Sequence, residues 1–201
     1  VGVDEVGRGA LAGPLTVGAV VLNCDAAPPP GLGDSKELSA RQREKLVAPI
    51  EQWCAAWSLG SVSSFEIDRW GLRLALAVAA TRALEGLACT PTYALLDGSF
   101  NLLSAPARLE DEALGVPNLA YADLPHATVV GGDARCASIA AASVLAKVHR
   151  DRTMCDLAGE FPDYGWDANK GYGVAAHRRA IEDRGPCAHH RKTWRLTASE
   201  P

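Results

Sequence analysis

The chain has 201 residues, 48% of them apolar and 22% charged, and a net charge of −4. That length supports a core without a disulfide or metal staple, and the negative balance excludes a protein that coats nucleic acid through bulk electrostatics. No run of about 18 uncharged apolar residues occurs, which excludes a transmembrane helix. The six cysteines (Cys24, Cys54, Cys89, Cys136, Cys155, Cys187) are scattered without a C-x-x-C pair. They read as free, mostly buried thiols in a reducing, cytoplasmic setting. Cys187 with His189 and His190 lacks a second close pair of ligands, so a zinc site is not expected there.

Two valine-rich runs, VGVDEV and LTVGAVVL, flank a Gly-Pro turn and predict the neighbouring strands of a hairpin. CDAAPPPGLG is a loop, because its prolines and glycines continue neither helix nor strand. Ser39 predicts an N-cap with Gln42 as its capping-box partner. The helix that follows is expected over ARQREKLVAPIEQWCAAW, kinked or split at Pro49. SLGSVSS predicts a short third strand. SSFEIDRWG and then LRLALAVAATRALEGL predict a short helix and a long apolar one, ended near Gly86. TYALLDG reads as a buried fourth strand. Residues 101–125 have no period and carry an acid run, Glu110, Asp111 and Glu112, so an irregular insertion is expected. HATVVGG is the fifth strand. DARCASIAAASVLAKVHRDRTMCDLA is expected as the longest helix, with Ala137, Ala141, Val144, Val148 and Cys155 on one face. Its small residues would let it lie close to the sheet. FPDYGWDANKGYG is expected as a loop, VAAHRRAIEDRG as a last helix with Gly185 past its end, and PCAHHRKTWRL as an irregular tail. Three strands first, then strands alternating with helices, predict a mixed α/β sheet with helices on its faces, in one domain.

Four acids stand where such a sheet gathers ligands. Asp97 lies at the carboxyl end of the fourth strand, although a plain Asp-Gly turn is the alternative. Asp133 precedes the long helix, where an N-cap is the alternative. Asp4 and Glu5 are adjacent, so on a regular strand they face opposite sides. Both reach one site only if the strand ends or twists there, which the Gly7-Arg8-Gly9 turn permits. If the first, fourth and fifth strands are neighbours, all four carboxylates converge. Like charges in one cleft repel and raise pKa values, so the cluster needs cations. An all-oxygen set without His or Cys favours Mg²⁺ or Mn²⁺ over zinc. Two such ions about 3.5–4 Å apart suit an in-line phosphoryl displacement. The pattern points to metal-dependent phosphodiester chemistry. Near the C-terminus, Arg178, Arg179, Arg184, Arg191, Lys192 and Arg195 outnumber Glu182 and Asp183, which suits either local phosphate contacts or a solvated face.

In order along the chain, these motifs resemble the ribonuclease HII family. VGVDEVGRGALAGP resembles its opening motif, GLGDSKELSARQRE its Asp-Ser-Lys segment and LLDG its third-acid strand. GGDARCASIAAASVLAKVHRDR is similar to its fourth acid and Ala-Ala-Ser helix. NKGYGVAAHRRAI with GPCAHHRKTW is similar to its Gly-Tyr-Gly helix and His-Arg ending. The likeness thins over residues 50–90 and 99–125. The resemblance implies a ribonuclease H-like mixed five-stranded sheet flanked by helices. It implies one catalytic domain, with a core over about 1–158 and a helical C-terminal segment over about 159–201 packed on it. The activity it implies is metal-dependent hydrolysis of the phosphodiester 5′ of a ribonucleotide. The substrates would be RNA/DNA hybrids and duplex DNA with single embedded ribonucleotides, and the products 5′-phosphate and 3′-hydroxyl ends. Carried over by position, Asp4, Glu5, Asp97 and Asp133 are the catalytic acids and ligands of two Mg²⁺ or Mn²⁺ ions. Gly7, Arg8 and Gly9 match the loop that contacts the ribonucleotide 2′-hydroxyl, the group that separates RNA from DNA. Tyr172 matches the tyrosine that packs on the sugar at the RNA–DNA junction, and Lys36 and Lys147 match motif lysines expected at phosphates. His177 is expected to be structural. Arg191 is expected either at the nucleic-acid backbone or sealing the C-terminal segment. Ala10 departs from the family's usual Pro, Trp194 from Phe and Glu37 from a second Lys. Ribonuclease HIII, a near relative, normally carries an extra N-terminal domain, which is not expected here because the sequence opens on the first strand. A monomer without a membrane partner is expected.

Overall fold

The computed structural model describes residues 1–23, 25–33, 35, 37–105, 115 and 117–197. Cys24, Lys36 and the acid run Glu110–Glu112 therefore lie outside the described residues. The strands are β1 (Gly2–Val6), β2 (Leu15–Leu22), β3 (Cys54–Val62), β4 (Ala94–Asp97) and β5 (His126–Val129). They form one sheet in the order β3-β2-β1-β4-β5. β1 and β2 pair antiparallel as the expected hairpin, with Gly2 opposite Val20 and Val6 opposite Thr16. β3 extends this antiparallel half, whereas β1, β4 and β5 run parallel to one another. The mixed five-stranded sheet matches the expectation from sequence.

The helices among the described residues are α1 (Ala40–Trp53), α2 (Ser64–Trp70), α3 (Leu72–Glu85), α4 (Gly132–Arg135), α5 (Ala137–Glu160), α6 (Trp166–Asn169) and α7 (Ala175–Arg184). Ser39 and Gln42 form the predicted capping box on α1, and Ser63 with Glu66 forms a second on α2. Pro49 sits inside α1 without ending it. The expected helix over residues 40–57 stops at Trp53, and the following residues enter β3, where Ala56 and Trp57 pair with Val21 and Val20. Ladder bonds to β2 override the local helical preference of the alanines. The long helix is also interrupted: Cys136 is extended (φ −127°, ψ 115°) and separates the single turn α4 from α5. The segment expected as a loop after α5 contains a 3₁₀ turn at Pro162–Tyr164 and the one-turn α6.

The sheet is covered on both faces. α3 packs Ala75, Val78, Ala79 and Leu84 against Val3, Val17, Ala19 and Leu96 on one face. On the other, α5 and α1 bring Ala141, Val144, Leu145, Leu46 and Ile50 onto Val20. The approach of α5 is close: a Cβ on Gly18 would stand 2.5 Å from the Ala142 carbonyl oxygen, so only glycine fits that strand position. The buried stripe of α5 runs through Ala141, Val144 and Val148, but Cys155 is exposed. Past Val148 the helix turns Met154 and Ala158 towards a third cluster, with Leu11, Tyr164, Trp166 and Ile181, which seats the C-terminal segment. The five described cysteines are free as expected, yet none is fully buried: Cys89 and Cys155 are exposed and the others half-buried. No described helix is long and apolar enough to cross a membrane.

Candidate active site at the carboxyl edge of the sheet

Parallel pairing of β1, β4 and β5 sends their carboxyl ends to one edge. Val3 pairs with Leu96, so the next residues, Asp4 and Asp97, emerge side by side. Asp133 follows β5 by way of the left-handed Gly131 (φ 64°) and lies in the first turn of α4, one place past the N-terminal residue Gly132 rather than at an N-cap. The Gly132 N–H donates to Asp97 Oδ1 at 2.7 Å. Carboxylate oxygens of Asp4, Asp97 and Asp133 all lie within 4.8 Å of one another. Asp4 and Asp133 are 5% and 2% exposed, so this cluster is largely withdrawn from water.

Strand alternation separates Asp4 from Glu5. Asp4 is on the side of β1 that meets α5, close to the Ser143 hydroxyl, while Glu5 emerges on the other side and pairs with Arg8 at 3.6 Å. Glu5 is outside the three-carboxylate cluster but lines the same cavity. Burial pushes the Asp4 carboxyl up to about 7; the Ser143 hydroxyl opposes this, and the charges of Glu5 and Asp97 add to it. The backbone N–H of Glu5, donating to Asp4 Oδ1 at 2.7 Å, is a further opposing contact. Burial also raises Glu5, with Arg8 opposing and Asp97 reinforcing. Three converging carboxyls, one of which resists ionising at neutral pH, form an oxygen-only donor set suited to a hard divalent cation. Among the described residues no other group of three acid, His or Cys side chains is so arranged.

The cavity of about 240 Å³ is lined by Asp4, Glu5 and Asp97, by Gly7, Arg8 and Gly9, and by Ser35, Ser143, Lys147 and Tyr172. Ten sequence-predicted site residues thus divide: eight line one cavity, Asp133 joins through the carboxylate cluster, and Lys36 lies outside the described residues. Lys147 is engaged by Asp151 one turn along, at 2.6 and 2.8 Å. Ser35 and Ser143, which sequence reasoning did not select, share a hydrogen bond of 2.7 Å on the cavity wall. Their only signal was membership of the DSK and AAS motifs.

The loop after β1 and the loop carrying Tyr172 are one unit. Leu11 N–H and Ala12 N–H both donate to the Gly171 carbonyl (2.8 and 3.2 Å), and Ala10 bridges to Tyr172. Two fully buried arginines tie this unit together. Arg150 donates to the carbonyls of Pro14, Lys170 and Ala12 at 2.7, 2.9 and 3.1 Å, and stands 5.4 Å from the Tyr172 ring centroid. Arg191 donates to the carbonyls of Gly7 (2.6 Å), Arg8 (2.8 Å) and Gly13 (3.4 Å), so of its two expected roles it fills the sealing one. Gly7 has φ 84°, and a Cβ there would lie 2.1 Å from Arg150 Nε, so glycine is required on both counts. His177, buried as expected of a structural residue, accepts from Trp166 Nε1 at 2.9 Å, meets His190 Nε2 at 3.2 Å and approaches the Tyr172 carbonyl through Nδ1 at 3.0 Å. Burial lowers both imidazoles, His190 to about 4, and keeps the pair neutral. Cys187 Sγ lies 3.3 Å from His190 Nδ1 in this network.

The family model for Ribonuclease HII matches residues 1–197. The chain is 48% identical over 193 residues to Ribonuclease HII of Paracoccus denitrificans, covering 96% of this chain and 83% of that protein. It is 45% identical over 196 residues to Ribonuclease HII of Streptomyces griseus, covering 96% and 75%. Its fold superposes on the crystal structure of ribonuclease H2 from Pyrococcus horikoshii with a TM-score of 0.72 at 27% identity, over 97% of this chain and 93% of that one. With a carboxylate cluster at the sheet edge and full-length similarity of this kind, the chain belongs to the ribonuclease HII family, and is thereby an RNase H endonuclease.

Proposed function

We propose that this chain hydrolyses the phosphodiester 5′ of a ribonucleotide, in RNA/DNA hybrids and at single ribonucleotides embedded in duplex DNA, leaving 5′-phosphate and 3′-hydroxyl ends. One observation carries the reading: a single cavity is lined by Asp4, Glu5 and Asp97 and also by Gly7, Arg8, Gly9 and Tyr172. Acids suited to cations stand beside groups suited to a ribose. Asp4, Asp97 and Asp133 fit Mg²⁺ or Mn²⁺, two in the catalytic complex, because their donors are all oxygen and Asp4 resists carrying a bare charge. When bound, such ions offset these negative charges and stabilise the charge that develops on a phosphodiester under attack. Glu5 is the acid at hand to complete the set.

The remaining residues bind and select. Gly9 is exposed, and with no side chain it lets a ribose approach its backbone, where N–H and C=O groups can meet a 2′-hydroxyl. Tyr172, fixed against Arg150 and the loop after β1, offers a ring to the neighbouring sugar, where an extra hydroxyl would clash or lose its water. Lys147 supplies positive charge on the α5 side of the cavity. The core and the C-terminal segment act as one catalytic domain, since Arg191 holds the loop that reads the ribose. One chain supplies every group named, which suits a monomer, and the free thiols suit a reducing cytoplasm. Cutting at an embedded ribonucleotide would serve its excision from DNA.

The test is a labelled DNA duplex with one ribonucleotide, incubated with Mg²⁺ or Mn²⁺ and resolved beside an all-DNA duplex. A nick on the 5′ side of the ribonucleotide is expected. No nick, or equal cutting of the all-DNA duplex, overturns the proposal. Asp97→Asn should abolish the nick while the duplex still binds.

A further inference from the structure

The cations that flank the acidic edge are of two kinds. On the α5 side Lys147 is already held by Asp151. On the α3 side stands Phe100, three residues past Asp97 in the turn after β4, packed against the core beneath α3. The Arg8 guanidinium lies 4.6 Å from the Phe100 ring centroid, and that of Arg73, near the start of α3, lies 5.6 Å from the same centroid. Two like charges gathered on one ring repel, while an exposed cation gains only about 0.5–1 kcal/mol from an aromatic face. Arg8 has Glu5 at 3.6 Å as a partial counter-charge. Arg73 is exposed and pairs with no acid among the described residues.

We infer that Arg73, held beside Arg8 by the Phe100 ring, is a second contact for the phosphodiester backbone of a nucleic-acid duplex, on the flank of the acids opposite Lys147. The inference rests on the proposed placement of Arg8 at the ribonucleotide. Glu5, at 3.6 Å, offsets Arg8 only in part, so two guanidiniums share one ring with incomplete counter-charge beside a cleft that would receive a polyanion. Two guanidiniums that share one ring, at 4.6 and 5.6 Å from its centroid, stand close enough to serve the same stretch of a strand's phosphates. Each fork can hold two phosphate oxygens at once. Phe100 is a positioning residue, setting the spacing of the two cations, while Arg73 touches the substrate. Lys147 on one flank and this stack on the other would cradle a duplex laid across the carboxyl edge.

Binding is measured with the full chain carrying Asp97→Asn, so that substrate is not consumed, on a labelled duplex with one ribonucleotide across about 50–200 mM salt in Mg²⁺. Adding Arg73→Gln should reduce the slope of log affinity against log salt by about 0.9, the loss of one phosphate contact. It should also weaken binding about three- to ten-fold near 100 mM salt. Arg73→Lys should restore the slope, and Phe100→Leu should weaken binding without a matching loss of melting temperature. An unchanged slope and affinity in Arg73→Gln overturns the inference, and unchanged affinity in Phe100→Leu overturns the positioning role. The cutting assay with unaltered protein separates the two levels. If that protein makes no nick at the ribonucleotide, the functional reading fails; if it does and Arg73→Gln binds like its parent, only this inference fails.

Discussion

Replacing Asp4 by Asn should make the metal-free protein more stable above neutral pH while removing its chemistry. Asp4 is 5% exposed, and burial with the nearby charges of Glu5 and Asp97 lifts its carboxyl from 3.8 to about 7. A folded-state pKa above the unfolded one means that the folded protein holds this proton more tightly. The stability it contributes is fully present below pH 3.8 and is lost as pH rises through about 7. Three pH units at about 1.4 kcal/mol each set a ceiling of about 4 kcal/mol. Relaxation of the cavity and entry of water should reduce this to about 1–3 kcal/mol. Asn cannot ionise, yet its side-chain oxygen can still accept from the Glu5 N–H, as Asp4 does at 2.7 Å. The assay is urea unfolding in EDTA from about pH 4 to 9. The stability gap in favour of Asp4→Asn should open between about pH 4 and 7, and Mg²⁺ should close it by stabilising only the unaltered protein. A gap that is absent, reversed or constant with pH would refute the electrostatic reasoning.

Arg191→Met should destabilise the chain by about 2–4 kcal/mol, because the carbonyls of Gly7, Arg8 and Gly13 lose their donor inside the fold. A melting temperature lowered by about 5–15 °C is the expected reading. Gly171→Ala should harm catalysis more than stability: with φ 82° and a Cβ 2.4 Å from the Ala12 carbonyl oxygen, the Tyr172 loop must shift. Nicking at a single ribonucleotide should fall about ten-fold or more, and equal activity would show that the loop junction does not set the site. His190, lowered to about 4 chiefly by burial and then by His177 and His189, contributes stability that is intact above 6.5 and lost as pH falls through about 4. His190→Gln should therefore flatten the acid limb of a stability-against-pH curve taken from pH 7 to 4, with a ceiling of about 3 kcal/mol.

Much of the sheet was legible because its signals are local. Valine-rich runs around a Gly-Pro turn encode the β1–β2 hairpin, and the Ser39–Gln42 box marks the start of α1. The junction of α1 with β3 was not legible, since residues 54–57 are alanine-rich and become strand only by pairing with β2. The break at Cys136 is likewise tertiary: it lets one short turn carry Asp133 to the cluster while α5 lies flat on the sheet. Sequence placed Asp4 and Glu5 in one site but left open how neighbours could share it. The structure keeps them on opposite sides of β1, with Asp4 in the cluster and Glu5 across the cavity beside Arg8. The role of Arg150 could not be read at all and that of Arg191 only as one of two alternatives, because arginine ordinarily signals a surface, and only the folded loops reveal carbonyls waiting for its donors.

That use of arginine also explains how the acidic edge survives. Had Arg150 or Arg191 reached Asp4 or Asp97, the ion pair would have lowered the carboxyl pKa and filled the coordination space a cation needs. Both instead spend their donors on backbone carbonyls of residues 7–14 and on Lys170. Arg8 stands off Glu5 at 3.6 Å and shares its charge with the Phe100 ring. Lys147 is occupied by Asp151. Among the described residues the ion pairs involve neither Asp4 nor Asp97. The fold thus keeps its buried positive charge in the loop scaffold and, among the described residues, leaves Asp4 and Asp97 without an ion pair. The carboxylates repel one another, so a bound divalent cation should stabilise the protein, and a melting temperature higher in Mg²⁺ than in EDTA is the expected reading.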